Sequence, residues 1–252
     1  MGELMRLANK IAVITGAGSG MGKSMAELFV REGAKVVCAD RSGKEAEVAA
    51  SLGDAAVAVH VDVASSHDIQ LMINTAVERW GRLDVLCNNA GFGGPMMPLH
   101  EQTEETYDNV HAVNLKGVFL GMKYGIIAML RTGGGSIVNT ASAVGLVGWK
   151  HHSVYGAAKG GVIQLTRCAA LDYAQQGIRV NAICPGTTWT GLVKASATNP
   201  TPPHDAKPPA NVPMNRWGLA SELAAAALFF ASDESSYITG TALPVDGGYV
   251  AG

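Results

Sequence analysis

A tyrosine and a lysine four residues apart are the pair in this sequence best suited to proton transfer. They are Tyr155 and Lys159, in the run Tyr-Gly-Ala-Ala-Lys. Side chains at i and i+4 share one face of a helix, so the ammonium would lie near the phenol. A nearby cation stabilises phenolate, and we expect Lys159 to lower the pKa of Tyr155 from its usual value of about 10. Such a phenol can donate a proton to a ketone or take one from an alcohol.

A glycine-rich stretch near the start of the chain predicts a binding site for a pyrophosphate. The stretch Thr15–Gly22 follows a β-branched run and precedes a helical pattern. Glycine permits positive φ and close backbone approach, and a helix N-terminus offers free N–H groups to an anion. In this context the glycines favour a dinucleotide-binding turn. The residues expected to hold the dinucleotide here are Gly16, Ser19, Gly20, Met21 and Gly22.

The residue that ends the second predicted strand indicates which dinucleotide binds. Asp40 lies eighteen residues after Gly22. A carboxylate at this place accepts hydrogen bonds from both adenosine ribose hydroxyls and repels a 2′-phosphate, so we predict NAD(H), with NADP less favoured. Arg41 complicates the assignment, because a guanidinium can pair with that phosphate. The alternative interpretation of Asp40 is a residue that only stabilises its own turn.

Together with further motifs, these residues resemble the short-chain dehydrogenase/reductase family. The motifs occur in the family's order over nearly the whole chain, and their joint occurrence is far more specific than any one of them. They are the glycine turn, Asp62-Val63, the run 88–91, Asn114, Ser142, Tyr155 with Lys159, and Pro185-Gly186. The stretch 238–249 is similar to NAD-type secondary-alcohol and cyclic-alcohol dehydrogenases, including bacterial hydroxysteroid dehydrogenases.

The resemblance implies catalytic roles for four residues. Tyr155 would be the acid/base, and Ser142 would bind the substrate oxygen and stabilise its developing charge. Lys159 would also hold the nicotinamide ribose. Asn114 would bind water at a distorted turn of a long helix and pass protons from Lys159 to solvent. Asparagine is a poor residue inside a helix, which favours such a functional reason, although an exposed Asn there is not rare.

The same resemblance implies further contacts with the cofactor. Asp62 and Val63 would border the adenine. The other expected contacts are Asn89, Ala90 and Gly91 at the adenosine ribose, Pro185 and Gly186 at the nicotinamide, and Thr188 and Thr190 at the carboxamide. The family more often has an aliphatic residue at position 188, so only the backbone role of Thr188 carries over. Simpler interpretations are a turn residue for Asn89 and a strand-ending polar residue for Ser142.

Strand-like runs alternate with helical periodicity around these motifs. Strands are predicted at 11–15, 35–39, 55–61, 83–87, 136–140, 178–183 and 242–245. Helices are predicted at 21–32, 43–52, 66–80, 103–130, 155–175 and 221–231. This alternation predicts one Rossmann-type, doubly wound α/β domain over residues 1–252, with about seven parallel strands and helices on both faces. The early glycine turn argues against a TIM barrel, whose phosphate site lies late in the chain.

One segment, 187–215, breaks the alternation because it is rich in proline. We expect no regular strand or helix there, and favour a substrate-binding loop over a disordered insertion. Candidate substrate contacts are Phe92, Val144, Trp149, Trp189, Leu192 and Met214. Most are apolar or aromatic, which predicts an uncharged, mainly hydrophobic alcohol or ketone, with cyclic compounds among the candidates. Each tryptophan could equally belong to the core.

Composition narrows the class of protein. Of 252 residues, 48% are hydrophobic and 16% charged, and the net charge is −2. No basic cluster favours nucleic acid or a membrane as a partner, and no signal peptide or spanning segment is visible, so we expect a cytoplasmic protein. The four cysteines form no CxxC pair, and we interpret them as structural. The histidines have no metal-ligand spacing, and we interpret His151 and His152 as loop residues near a cleft.

Other interpretations stay open at this point. A 3-oxoacyl-carrier-protein reductase using NADPH shares these motifs, although Asp40 and the net charge speak against it. A regulatory protein could also bind a dinucleotide without catalysis, although it would have no reason to keep all four catalytic residues. The resemblance implies a homo-oligomer, usually a tetramer. Four apolar residues of the long helix fit a buried face there, and core packing explains them equally well: Phe119, Met122, Ile126 and Met129.

Overall fold

The predicted strands form one parallel sheet in the computed structural model, which describes residues 5–191, 201–203 and 206–252. The strands are β1 (Ile11–Thr15), β2 (Lys35–Asp40), β3 (Ala56–His60), β4 (Val85–Asn88), β5 (Gly135–Thr140), β6 (Ile178–Pro185), the short β7 (Thr188–Trp189) and β8 (Gly218–Leu219), and β9 (Ala242–Val245). Seven of them pair in the order β3-β2-β1-β4-β5-β6-β9, and every neighbouring pair is parallel. The predicted α/β class and strand number are confirmed.

Helices cover both faces of this sheet. They are α1 (Gly20–Arg31), α2 (Lys44–Leu52), α3 (Ser66–Trp80), α4 (Glu104–His111), α5 (Gly117–Leu130), α6 (Ser153–Tyr173) and α7 (Ala220–Ala231). Successive residues of a strand face opposite sides, so Val13 belongs to the core cluster that includes residues of α3, α5 and α6, while Ile14 belongs to the cluster that includes residues of α1 and α7. A strand buried on both faces needs a continuous apolar run, and this is the pattern of β1.

The strand order reverses between β1 and β4, and this reversal creates a crevice at their carboxyl ends. Hydrogen bonds fix the two strand ends together. The backbone N–H groups of Asn89 and Ala90 donate to Thr15 Oγ1 at 2.9 and 3.0 Å. The Asn89 side-chain amide donates to the Thr15 carbonyl at 3.0 Å. The sheet therefore holds the glycine turn and the run 88–91 side by side.

The long helix predicted at 103–130 runs through one π-helical turn, Ala112–Lys116, between α4 and α5. By length and composition, Glu104–Leu130 could cross a membrane, but 56% of its apolar window is buried within the protein. Met122, Ile126 and Met129 lie in the core, whereas Phe119 is exposed. Core packing therefore explains three of the four residues considered for an interface.

The expectation of no regular structure in 187–215 is wrong for its first residues. The short strand β7 pairs in parallel with β8. The prolines of the segment begin only at Pro200, so the β7 backbone keeps its N–H donors. Trp189 in β7 is buried and packs edge-on against Trp217, with 5.2 Å between ring centroids. Part of the segment, including Leu192, lies outside the described residues.

Candidate active site

A cleft of about 550 Å³ opens at the carboxyl ends of the central strands. Most residues predicted to bind cofactor or substrate line it. These are Gly16, Ser19, Gly20, Met21, Asp40, Arg41, Asp62, Val63, Asn89, Ala90, Gly91, Ser142, Tyr155, Lys159, Pro185, Gly186, Thr188 and Thr190. Gly22 and Asn114 do not line the cleft themselves. Gly22 packs against Gly16, and Asn114 is hydrogen-bonded to Phe92, and both of these neighbours line the cleft. Motifs that are far apart in the sequence thus meet in one cavity.

Glycine is required at particular positions of the glycine turn. Gly16 and Gly20 have φ of +70° and +53°, a backbone conformation that favours glycine. A Cβ on Gly22 would lie 2.1 Å from the Gly16 carbonyl oxygen and 2.7 Å from the Asn89 side-chain nitrogen. The first turn of α1 carries no acidic residue, so no carboxylate of the helix itself competes for its free N–H groups.

Asp40 serves the turn and also lines the cleft. Its carboxylate accepts hydrogen bonds from the backbone N–H groups of Gly18 at 3.0 Å and Ser42 at 2.9 Å. These bonds fix its orientation, as the simpler turn interpretation requires. A carboxylate has about four lone-pair sites, so two backbone donors leave acceptor capacity for hydroxyls in the cleft. The two interpretations of Asp40 are therefore compatible.

The π-helical turn places Asn114 behind the cleft. The side chain is fully buried, and its amide donates to the carbonyls of Phe92 at 2.9 Å and Val110 at 3.0 Å. Its Oδ1 accepts from the Phe92 N–H at 3.2 Å. A Cβ on Gly91 would lie 2.6 Å from this oxygen and 3.3 Å from the Lys159 ammonium nitrogen. Because Gly91 has no side chain, Asn114 and Lys159 can both lie close to its backbone on one side of the cleft.

Tyr155 and Ser142 line the cleft from the first turn of α6 and the end of β5. The expectation that Lys159 lowers the pKa of Tyr155 is wrong for this structure. Burial raises the pKa of the phenol, and a hydrogen bond with Ser142 opposes that rise. The Lys159 nitrogen lies 5.7 Å from the centre of the Tyr155 ring and donates to the Thr140 carbonyl at 2.8 Å. Desolvation is therefore the main cause of the shift in this pKa, and Lys159 does not lower it.

Burial acts on the lysine in the opposite sense. It lowers the pKa of Lys159 to about 8, because an ammonium loses hydration inside the protein. Between about pH 8 and the usual lysine value of about 10.5, the unfolded chain therefore binds more protons than the folded one. The free energy of unfolding should then rise with pH through this window as far as Lys159 determines it.

We expect the wild-type protein to gain stability relative to a Lys159→Met variant as the pH rises through that window. The difference in unfolding free energy should grow by about 3 kcal/mol, since the pKa of Lys159 falls from 10.5 to about 8 and each pKa unit corresponds to about 1.4 kcal/mol. Urea unfolding of both proteins at several pH values measures it, because titrations elsewhere cancel in the difference. A difference that stays constant or shrinks would contradict a buried ammonium at this site.

The loop after β6, which lines the cleft, is closely packed. The Gly186 N–H donates to the Val245 carbonyl at 3.1 Å, and a Cβ there would lie 2.7 Å from the Asp246 Cα. Thr188 and Thr190 are both buried, and the Thr188 hydroxyl donates to the Gly186 carbonyl at 3.2 Å. Only glycine allows β6 and the turn after β9 to approach this closely.

The residues predicted to contact substrate lie only partly at the cleft. Phe92, Val144 and Trp149 line it, whereas Trp189 and Met214 do not. Trp189 is a core residue, and Met214 is 64% exposed. His152 and Met96 line the cleft without having been predicted as binding residues. The signal for His152 was its position between Ser142 and Tyr155, in the loop that joins β5 to α6.

The buried cysteines of this protein are poor nucleophiles. All four thiols are free, and Cys38, Cys87 and Cys184 are buried. Burial raises the pKa of Cys38 to about 12 and that of Cys184 to about 11, which disfavours the nucleophilic thiolate. Within the described ranges, no group of three or more His, Cys, Asp or Glu could hold a metal ion.

Comparisons with known proteins agree with this geometry over the full length of the chain. A family model described as Enoyl-(Acyl carrier protein) reductase matches residues 16–250. Levodione reductase from Leifsonia aquatica is 40% identical over 256 residues, covering 98% of this chain and 96% of that protein. Cis-4-hydroxycyclohexanecarboxylate dehydrogenase from Sinomonas cyclohexanicum is 41% identical over 254 residues, covering all of both chains.

The fold of this protein also closely matches that of a protein whose structure has been solved. The crystal structure of levodione reductase matches with a TM-score of 0.89 at 37% sequence identity, over 98% of this chain and 99% of that chain. Thermotoga maritima has a relative described only as an uncharacterized oxidoreductase, 43% identical over 253 residues, covering 98% of this chain and 100% of that protein. The similarity therefore extends over nearly the whole chain.

Proposed function

This chain belongs to the short-chain dehydrogenase/reductase family, and on that premise we propose that it is an NAD(H)-dependent oxidoreductase of apolar or cyclic secondary alcohols and ketones. It is an enzyme that uses a nicotinamide cofactor and acts on the hydroxyl-bearing carbon of a small molecule. The observation that carries the proposal is the convergence of Ser142, Tyr155 and Lys159 in the same cleft as the glycine turn. A non-catalytic regulator would not need that convergence.

The residues present fit a dinucleotide. The backbone around Gly16 and Gly22 forms a cradle that a Cβ would fill, and the helix N-terminus beside it suits a pyrophosphate. Asp40 and Arg41 would hold the adenosine ribose, with Asp62 and Val63 beside the adenine. Asn89, Ala90, Gly91, Pro185, Gly186, Thr188 and Thr190 would form the remaining contacts. When bound, the nicotinamide supplies or accepts the hydride.

The protein's own groups would handle the oxygen and its proton. Ser142 and Tyr155 would hold the substrate oxygen, and the phenol would take the proton of an alcohol or return it to a ketone. The raised pKa of Tyr155 in the free protein keeps the phenol protonated, which suits the donor step of reduction. In this proposal Lys159 orients the nicotinamide ribose. Asn114 would pass protons from Lys159 to solvent through water held at the π-helical turn.

The lining of the substrate end supports an uncharged, mainly hydrophobic substrate. Phe92, Val144 and Trp149 present apolar surface there. Two relatives named for cyclic substrates, levodione reductase and cis-4-hydroxycyclohexanecarboxylate dehydrogenase, favour a ring compound. The alternative is a 3-oxoacyl-carrier-protein reductase that uses NADPH. It is less favoured, because among the described residues the cleft lining has only two basic Lys or Arg side chains, Arg41 and Lys159, to meet the phosphate groups of such ligands.

A panel of cyclic and linear secondary alcohols with NAD or NADP tests the proposal. We expect NADH formation from cyclohexanol-type substrates, with kcat/KM for NAD above that for NADP by at least about tenfold, because Asp40 repels a 2′-phosphate. NADH or NADPH absorbance measures both rates. Turnover of phosphorylated or carboxylated substrates alone would reject the substrate class, and a clear preference for NADP would reject the cofactor.

An Asp40→Ala variant tests whether Asp40 causes the expected preference for NAD over NADP. It should lose about 10- to 100-fold in kcat/KM for NAD, because hydrogen bonds to a charged group are lost. Activity with NADP should fall much less, so that the preference narrows. Asp54→Ala is the matched control, since Asp54 lies in an exposed turn away from the cleft.

Assembly and location belong to the same proposal. We propose a homo-oligomer, in keeping with the tetramers usual for the family. The exposed apolar side chains of Phe119, Ile127 and Leu130 on α5 and Leu171 on α6 support this. Free buried thiols suit a reducing compartment, which supports a cytoplasmic location.

A further inference from the structure

The indole of Trp149 lines the proposed substrate end of the cleft without being held there by a hydrogen bond. Its Nε1–H is shielded from solvent and has no partner in the parts of the chain that the structure describes. The orientation of such a side chain depends on the groups that pack on it. Two rings do so: the His152 ring meets the indole edge to face with 5.5 Å between centroids, and the Tyr249 ring meets it at 4.9 Å.

Of these two rings, Tyr249 is the one that comes from a distant part of the chain. His152 belongs to the same loop as Trp149 and lines the cleft beside it. Tyr249 follows β9 and does not line the cleft, so it supports the indole from outside the cavity. The two ring planes are inclined at 59°, and the separation is within the range that aromatic pairs favour. Tyr249 therefore links the indole to a separate segment of the fold.

The segment that carries Tyr249 is a tight turn, residues 246–251. The Asp246 carboxylate accepts hydrogen bonds from the backbone N–H groups of Gly248 and Val250, both at 2.9 Å. Tyr249 lies between these two donors, so its backbone is held on both sides. Gly248 has a φ of +91°, a conformation that favours glycine. The turn thus presents the Tyr249 ring from a fixed backbone.

The same turn contacts two other segments at the cleft. The Gly247 carbonyl accepts a hydrogen bond from the Met214 N–H at 3.1 Å, near the end of the proline-rich segment. Asp246 packs against Gly186, which lines the cleft, so closely that a Cβ on Gly186 would lie 2.7 Å from its Cα. These contacts fix the position of the turn, and with it the Tyr249 ring, relative to the cavity.

We propose that Tyr249 is a positioning residue for substrate selection, because its ring holds the Trp149 indole against the cleft and so limits the size of the substrate that fits. This inference rests on the proposed function, which assigns cyclic alcohols to the cleft. Without the Tyr249 ring, the indole can move into the vacated space, and the cavity widens. A compact ring then loses contact with the wall, whereas a bulkier one gains room.

The first test compares cyclohexanol with decahydro-2-naphthol, which has two fused rings, as substrates with NAD. The preference for cyclohexanol, as a ratio of kcat/KM values, should fall about tenfold in Tyr249→Ala, mainly because KM for cyclohexanol rises. The ratio should stay near the wild-type value in Tyr249→Phe, which keeps the ring. Tyr237→Ala is the matched control, since Tyr237 is fully exposed, and it should leave the ratio unchanged.

A double variant shows whether Tyr249 acts through the indole. Trp149→Ala alone should lower the same ratio, and adding Tyr249→Ala to it should change the ratio no further. Binding of NADH should stay within about threefold of wild type in all these variants, because the glycine turn is untouched. An unchanged ratio in Tyr249→Ala, an equal fall in Tyr249→Phe, or a further fall of the same size in the double variant would overturn the inference.

The second test observes the indole without turnover. The indole N–H resonance that disappears in Trp149→Phe identifies Trp149, and its hydrogen exchange reports how well the N–H is shielded. Exchange should be at least about tenfold faster in Tyr249→Ala than in the wild type, and no faster in Tyr249→Phe. Exchange at the wild-type rate in Tyr249→Ala would contradict the support of Trp149 by Tyr249.

The two tests separate this inference from the proposed function. If the wild type oxidised neither alcohol while exchange accelerated in Tyr249→Ala, the proposed function would fail and the support of Trp149 by Tyr249 would stand. If the wild type oxidised both alcohols while the ratio and the exchange rate stayed constant in Tyr249→Ala, the proposed function would stand and the inference would fail.

Discussion

Replacing Tyr155 with phenylalanine is expected to lower kcat by roughly 10³-fold, the range typical of a lost general acid or base. The ring and its packing persist in this variant, and only the hydroxyl that exchanges a proton with the substrate oxygen disappears. Binding of NADH should stay within about threefold of wild type, because the glycine turn and Asp40 are untouched. Initial rates by NADH absorbance and titration of NADH fluorescence measure the two quantities.

A second tyrosine provides the matched control for this substitution. Tyr237 is fully exposed and remote from the cleft, so Tyr237→Phe removes the same atom without a catalytic consequence. Turnover close to wild type in Tyr155→Phe would remove the acid/base role from this residue. A large loss of NADH binding in the same variant would instead assign the hydroxyl to cofactor binding.

The sheet and the location of the cleft could be predicted because they depend on local patterns. A strand buried on both faces must be apolar throughout, as in β1, and the glycine turn after it can form only where side chains are absent. These constraints act on residues that are close together in the chain, so they produce patterns that can be recognised in the amino-acid sequence. Asn114 is a different case, since the family resemblance implied the distorted turn that the structure shows as a π-helical turn, and the poor fit of asparagine inside a helix only favoured a functional reason for it.

The properties that could not be predicted depend on what surrounds a residue in three dimensions. The pKa of Tyr155 was expected to fall because Lys159 follows four residues later, but burial dominates and raises it. Sequence spacing gives the distance between two groups but not their loss of solvent. Trp189 shows the same limit, because its aromatic character fits a pocket wall and a core equally well, and only its packing on Trp217 decides.

A Gly22→Ala substitution should abolish most cofactor binding without unfolding the protein. The added Cβ would lie 2.1 Å from the Gly16 carbonyl oxygen, a distance at which backbone must move. It would also meet the Asn89 side chain at 2.7 Å, which ties the turn to Thr15 in β1. Displacing this turn should weaken NADH binding by about 100-fold, the equivalent of roughly 2–3 kcal/mol of overpacking.

A Gly148→Ala variant separates the local effect on the turn from any effect on the rest of the fold. A Cβ on Gly148 meets nothing within 4 Å, and its φ is not in the positive region, so this variant adds the same methyl group without a clash. Thermal unfolding should then show Gly22→Ala only a few degrees below Gly148→Ala, while NADH titration separates the two variants widely. Equal NADH affinity in the two variants would mean that the backbone of the glycine turn accommodates the methyl group without any loss of binding. The turn would then not be the site that holds the pyrophosphate. A loss of fold in Gly22→Ala, with no native-like sample to titrate, would instead show that the contact of Gly22 with Gly16 and Asn89 stabilises the whole sheet.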